Sequence, residues 1–250
     1  MFFGCEDISY FFGDKEVLKN ISIDIKKGEF VGLVGDNGSG KSTLMKILSG
    51  IYEYKTGKVI FNDEVLNEKT KNKIGYVFQN PENQIVGVTV EEDVAFGMEN
   101  TGVPRDEMKK KVEWALDIVG LNGKENTDPN TLSGGQKQRL AIASIVAMDP
   151  DVIFMDEPTT MLDPIGRREV YGVIKKLVEI GKTVIIASHH YQDLKEVNRI
   201  IALSDGKLIF NGDREKLYSK RVSNVEIPFD ITIKKEFKMS VQEMIDKLCR

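Results

Sequence analysis

Cysteine is almost absent from this chain: there are two in 250 residues, Cys5 and Cys249, near opposite ends. Such spacing gives neither a disulfide framework nor a metal-ligand cluster, and it suits a reducing compartment. Histidine is as scarce, with only His189 and His190, and no third ligand stands near them in sequence to complete a metal site. A basic excess is missing as well. Lys and Arg total 35 against 39 Asp and Glu, a net charge of -4, so nucleic acid is not the expected partner. Long apolar runs are also lacking: "VIIA" at 184–187 is far short of the roughly 18 residues a membrane span needs. The opening "MFFGCEDISYFFGDKE" has no basic segment leading into an apolar one. These absences predict a cytoplasmic chain with no span and no secretion signal. What is present, 41% hydrophobic and 30% charged residues, suffices for a sizeable core.

The order of patterns predicts an α/β fold with a helical block inserted into it. Up to "FVGLVG" the chain alternates β-type runs with turns, and Ile21, Ile23 and Ile25 share one face ahead of a Lys-Gly turn. From about 90 to 149 the period becomes helical, with Val112, Ala115, Leu116 and Val119 in phase and Gly120 as a stop; about three helices are expected there. The runs "VIFM" at 152–155 and "VIIA" at 184–187, separated by a helix expected over about 166–179, read as buried parallel strands. The tail "VEIPFDITIKKEFKMSVQEMIDKLCR" reads as a short strand and a terminal helix.

"VGLVGDNGSGKST" fits G-x-x-x-x-G-K-[ST] from Gly35 to Ser42, between an apolar strand and a helix, as a phosphate-binding loop requires. The loop residues Asn37, Gly38, Ser39 and Gly40 would turn successive N–H groups toward a β-phosphate, with the following helix, through Thr43, adding its dipole. Lys41 would reach the β- and γ-phosphates of ATP, and the Ser42 hydroxyl would ligate Mg²⁺. Hydrolysis also needs a carboxylate at the end of a neighbouring strand. "DVIFMDEP" supplies Asp156 to support Mg²⁺ and Glu157 to polarise a water; the alternative is two acids capping the next helix.

A second glycine turn, Ser133-Gly134-Gly135, opens another helix in "TLSGGQKQRLAIA". No apolar strand precedes it and no lysine stands in the required place, so it cannot hold a nucleotide alone. Its N–H groups still favour phosphate. The economical reading is that it closes over the γ-phosphate of a nucleotide held by another subunit; a plain N-cap by Ser133 is the alternative.

"LSGGQ", together with the phosphate loop, Gln79, Asp156-Glu157 and a histidine after the next strand, resembles the ATP-binding-cassette (ABC) ATPases, over residues 12–189 and in the family's order. The resemblance implies a P-loop NTPase with a RecA-like mixed-sheet core, an N-terminal antiparallel β subdomain and a helical subdomain inserted over about 83–150. It places the ABC ATPase domain at 1–222 and a C-terminal extension, a possible dimerisation element, at 223–250. By the same resemblance two cassettes sandwich two ATP molecules. Gln79 then contacts Mg²⁺ and senses the γ-phosphate. His189 is the switch histidine, with His190 where the family usually has Asp. Gln136 closes the signature turn, and Asp163 lies in the loop that crosses between subunits, although Met161 stands where many members have Ala. Phe12 takes the place of the adenine-stacking aromatic; burial in its strand is the rival reading.

"YVFQNPENQIVGVTVEEDVAFGMENTGVP" and "MLDPIGRREV" are more particular, and are similar to the energy-coupling factor ATPases that drive vitamin and metal uptake. This narrower resemblance implies a peripheral place on the cytoplasmic face of the cell membrane. The implied partners are a second ATPase, identical or related, a membrane-embedded scaffold subunit and a substrate-binding membrane subunit. The segment after Gln79 would form a groove for scaffold helices, and Glu82, Glu91, Glu92 and Asp93 would give it an acidic face for basic side chains.

Overall fold

The computed structural model describes residues 1–188 and 191–219. An N-terminal antiparallel sheet is built from β1 (Phe3–Phe12), β2 (Lys15–Ile25), β4 (Thr56–Phe61) and β5 (Glu64–Val65), in the order β2-β1-β4-β5. The second sheet contains β3 (Phe30–Val34), β6 (Ile74–Val77), β7 (Val152–Asp156), β8 (Thr183–Ala187), β9 (Arg199–Ser204) and β10 (Lys207–Gly212). Its order is β10-β9-β3-β8-β7-β6, with all neighbours parallel except β10, which is antiparallel to β9. Helix α1 (Lys41–Leu48) follows β3. Helices α2 (Val90–Asn100), α3 (Arg105–Val119) and α4 (Gly134–Val146) form the inserted block. Helix α5 (Pro164–Glu179) joins β7 to β8, and the short α6 (Tyr191–Leu194) and α7 (Arg214–Ser219) flank the last hairpin.

Alternation along the central strands divides the interior in two. Val31 and Leu33, Phe154, Ile185 and Ala187 face the antiparallel sheet and α1. Phe30 and Val34, Ile153 and Met155, Val184 and Ile186 face the helical side. Both faces of the strands are therefore apolar, which explains their near-continuous hydrophobic runs. Each fully buried large apolar side chain contributes about 1.5–3 kcal/mol. The antiparallel side holds Ile21, Ile23 and Ile25.

The helical block follows its sequence periods. Val112, Ala115, Leu116 and Val119 line the buried face of α3, which ends at Gly120. Leu140, Ile142, Ala143 and Val146 do the same for α4. Arg139 of α4 donates to the carbonyls of Val119 and Gly120 at 2.8 and 3.0 Å and pairs with Glu169 of α5 at 3.2 Å. One guanidinium thus satisfies the end of one helix and ties it to two others. Helix α5 starts at Pro164, earlier than the expected 166: Asp163 caps it by accepting from the Gly166 N–H at 2.7 Å, and a proline suits the first position of a helix. The expected C-terminal strand and helix over 223–250 lie outside the described residues.

Parallel strands β3, β6, β7 and β8 end side by side, with Leu33 and Asp156 both in register with Ala187, and Val77 with Met155. The segments leaving these ends are the loop 35–40, Gln79, Glu157 and Ser188. Open α/β sheets bind ligands outside the carboxyl ends of their strands, and that edge is where this fold gathers its polar groups.

Candidate functional site

A cavity of about 670 Å³ opens at this edge, walled by Phe12, Lys41, Ser42, Thr43, Gln79 and Glu157. Its floor is the loop between β3 and α1, where Asn37 and Gly38 are exposed and Ser39 and Gly40 buried. Gly38 has φ +81, a conformation that strains an L side chain even though a Cβ there would meet no atom within 4 Å. At Gly35, φ +147, a Cβ would lie 2.2 Å from the Leu203 carbonyl oxygen; only glycine lets the loop pass. Ser39 has a buried hydroxyl oxygen without a hydrogen-bond partner, as expected of a loop shaped for an added acceptor.

Lys41 is 7% exposed, and its ammonium donates to the carbonyls of Gly35 at 2.7 Å and Asp36 at 3.0 Å. Burial pulls its pKa below the ordinary lysine range, while Glu157, Asp156 and Asp36 oppose that shift. Ser42 Oγ donates to Asp156 Oδ1 at 3.1 Å, and Tyr76 donates to Asp156 Oδ2 at 2.9 Å. Burial and the adjacent carboxylate push the Tyr76 phenol up, so it stays a donor. A strand-end carboxylate beside a helix-start hydroxyl is the hard-oxygen pair that fits Mg²⁺, an ion held by one or two carboxylates together with phosphate and water.

Glu157 follows Asp156 with φ +46, a left-handed conformation uncommon for a residue with a Cβ. Its Oε2 accepts from Gln79 Nε2 at 3.3 Å and Thr160 Oγ1 at 3.0 Å. Neither acid caps a helix; that role falls to Asp163. Phe12 is 49% exposed, not buried in its strand, and is propped edge-on by Tyr10 and Tyr52 at centroid distances of 5.0 and 6.0 Å. Lys46 lies over the Tyr52 ring at 5.3 Å.

The second turn is elsewhere. Ser133, Gly134, Gly135, Gln136 and Asp163 line a separate depression of about 400 Å³ that contains none of the loop 35–43. Ser133 caps α4: its Oγ accepts from the Gln136 N–H at 3.3 Å, and Gln136 Oε1 accepts from the Ser133 N–H at 3.0 Å. Ser133 and Gly134 are exposed, but Gly135 is buried, where a Cβ would lie 3.0 Å from Gly166 Cα. Glycine at 135 therefore serves the α4–α5 contact. His189 and His190 lie outside the described residues.

The acidic face expected after Gln79 is corrected at Asp93, while Glu82, Glu91 and Glu92 are exposed. Asp93 is 3% exposed and faces inward, accepting from the N–H groups of Val86 at 2.7 Å and Gly87 at 2.9 Å and from Ser144 Oγ at 2.8 Å. Glu92 closes a capping box with Thr89, and Glu82 pairs with Lys137 at 2.8 Å. Exposed in the same segment, beside those three acids, are Val86, Val88 and Phe96. The sequence reading missed this, and also missed Lys15, Lys19 and the Asp205-Gly206 turn as cavity walls. The turn reaches the cavity because Gly206 donates to the Ser39 carbonyl at 3.2 Å and accepts from Lys19 N at 2.8 Å, a long-range pairing without a local motif.

Residues 18–160 match the ABC transporter family. The chain is 46% identical to the energy-coupling factor transporter ATP-binding protein EcfA1 of Lacticaseibacillus paracasei, covering 90% of this chain and 82% of that protein. It is 39% identical to the EcfA1 of Caldanaerobacter subterraneus subsp. tengcongensis over 98% of each. Among solved structures, cbiO1 from Clostridium perfringens, part of the transporter complex cbiONQ, superposes with TM-score 0.82 at 30% identity, over 98% of both chains. A cassette solved as a dimer in a post-hydrolysis state with ADP and Pi gives TM-score 0.73 at 32% identity, over 84% of this chain and 98% of that one. The fold and site define an ABC-type ATPase. The chain belongs to the ABC transporter family, as one of its energy-coupling factor ATP-binding proteins.

Proposed function

We propose that this chain works in pairs, with an identical or related ATPase, each nucleotide lying between the loop 35–42 of one subunit and the Ser133-Gly134 turn of the other. The observation that carries the proposal is the separation within one chain: Lys41 and Glu157 share a cavity, while Ser133 and Asp163 line a different, exposed depression. In this reading Phe12 stacks on adenine, and the backbone N–H groups of the loop, with Lys41, hold the phosphates. Ser42, Asp156 and Gln79 would hold Mg²⁺, which would neutralise phosphate charge. Glu157 polarises the attacking water, and His189, by resemblance to the switch histidine, touches the γ-phosphate and orients that water. The exposed Ser133 turn turns its N–H groups and helix dipole toward the partner's γ-phosphate, so closure requires an intact triphosphate. ATP shifts the pair toward closure only by binding the closed state better than ADP does.

The same reading puts the pair on the cytoplasmic face of a cell membrane, energising uptake of a vitamin or metal ion through a scaffold subunit and a substrate-binding subunit. Among the described residues no helix is long and apolar enough to cross a membrane, so the passage would be built by those partners. Val86, Val88 and Phe96 offer an apolar docking surface for scaffold helices. The described part of the ATPase domain ends at 219, and the extension 223–250 is assigned to pairing of the two ATPases by resemblance alone.

Glu157→Gln tests the centre of this reading. It should keep ATP binding, trap a dimer in size-exclusion chromatography with ATP, and lower phosphate release about 10²- to 10⁴-fold. Normal release would remove Glu157 from its role.

A further inference from the structure

Asp193 is a carboxylate that the proposed chemistry does not use. It is 1% exposed, and its Oδ2 accepts from Thr159 Oγ1 at 2.6 Å and from Ser188 Oγ at 2.7 Å, both donors being fully buried. Its other oxygen, Oδ1, is buried without a hydrogen-bond partner. Burying a carboxylate on two hydroxyl bonds is expensive, and a leucine of similar size would serve packing better. The cost calls for a compensating role.

The position of the two donors supplies one. Ser188 leaves the end of β8, and its N–H donates to the Leu33 carbonyl of β3 at 3.4 Å, next to the phosphate loop. Thr159 lies two residues after Glu157 and one before Thr160, whose hydroxyl donates to Glu157 Oε2 at 3.0 Å. The Glu157 N–H donates to the Ala187 carbonyl at 2.9 Å, so this segment is stitched to the end of β8 at both of its ends. Between the stitches Glu157 holds φ +46, which persists only where the surroundings over-determine it. Adjacent hydroxyls thus work in opposite directions: Thr159 anchors the turn from behind, and Thr160 aims at the Glu157 carboxylate from the front.

We infer that Asp193 is a positioning residue for hydrolysis: by clamping Thr159 to Ser188 it fixes the turn 157–160, and through Thr160 the carboxylate of Glu157. The inference rests on the proposed role of Glu157. Displacing a catalytic group by about 1 Å costs on the order of 10² in rate, without a matching loss of substrate binding.

The test uses the full chain, ATP and steady-state phosphate release. Thr159→Val removes the hydroxyl at nearly constant volume and should lower kcat about 10- to 100-fold, with KM for ATP changed by less than about threefold. Thr159→Ser keeps the hydroxyl and should restore kcat to within about threefold of the parent. A Thr159→Val protein with parental kcat would overturn the inference, as would Thr159→Ser being as slow as Thr159→Val, which would make the methyl group the important part. Should Thr159→Val lose its cooperative melting, Ser188→Ala decides in its place: a selective fall in kcat supports the clamp, and a parental kcat overturns it. Glu157→Gln runs alongside. If that variant hydrolyses normally, the reading of Glu157 fails and the clamp falls with it; if it is inactive while Thr159→Val is fast, the clamp alone fails.

Discussion

The two glycine turns of this chain look alike in sequence and solve different physical problems. The loop 35–40 is an incomplete structure: it holds a buried lysine on its own carbonyls and leaves the Ser39 oxygen buried without a partner. The turn at 133–136 already has its cap. The capping box satisfies the N–H groups of Ser133 and Gln136, and Gly135 is spent on packing against Gly166. A socket with unmet hydrogen bonds gains by taking a ligand within one chain. A finished helix start with an exposed face gains nothing until another surface presents a charge to it. The contrast supports the proposed pairing, in which each nucleotide lies between two chains, over two nucleotides held by one chain.

The strongest way to break the contrast is to damage each turn separately. Lys41→Ala removes a charged donor, so ATP binding should weaken about 10- to 100-fold in equilibrium titration, and hydrolysis should vanish with it. Ser133→Arg puts bulk and positive charge on the other face. Phosphate release should fall on the order of 10², while binding by the dilute, unpaired chain stays within about twofold of the parent. Equal loss of binding in both variants would mean that the turns act within one chain.

Asp93 sharpens the comparison at the next scale. The loop 86–87 hangs on Asp93, and Asp93 on Ser144 in the helix that starts at Ser133, while Gln84 Nε2 reaches the Ala141 carbonyl at 2.9 Å. The loop 84–87 and the Ser133 turn are therefore both tied to α4, the loop through Asp93 of α2 and through Gln84. Ser144→Ala should cost about 1–3 kcal/mol in denaturant unfolding, since it removes a part-buried hydrogen bond to a buried carboxylate. Glu91→Lys, at an exposed position, should stay within about 0.5 kcal/mol. Comparable losses would mean that Asp93 does not anchor the loop.

What the sequence made legible follows from locality. The loop 35–42, the strand ending at Asp156 and the apolar faces of α3 and α4 are each written in consecutive residues, and period or spacing was enough to find them. Asp93 misled because an acid in the first turn of a helix reads as solvated and dipole-favoured, whereas here the loop before it folds back to use it as an acceptor. The walls at Lys19 and Gly206 depended on a hairpin that arrives from far along the chain. Gly135 was legible as a glycine and not as a contact, because the residue that forbids its side chain, Gly166, belongs to another helix.

That last difference gives the finest separation of the two turns. Gly135→Ala must push a Cβ against backbone at 3.0 Å, which neither helix can yield without moving; it should destabilise the chain by about 1–3 kcal/mol and lower Tm by several degrees. Gly134→Ala meets only the Leu162 side chain at 3.6 Å, an ordinary contact, and alanine is the better helix former. Its stability should be unchanged within about 0.5 kcal/mol, and any loss of hydrolysis must then come from the exposed face. Thermal melts and phosphate release on the pair separate packing from function at neighbouring residues. Were Gly134→Ala to hydrolyse ATP at the parental rate while pairing normally, close approach to the exposed N–H groups would not limit turnover, and the turn would be reduced to a helix cap.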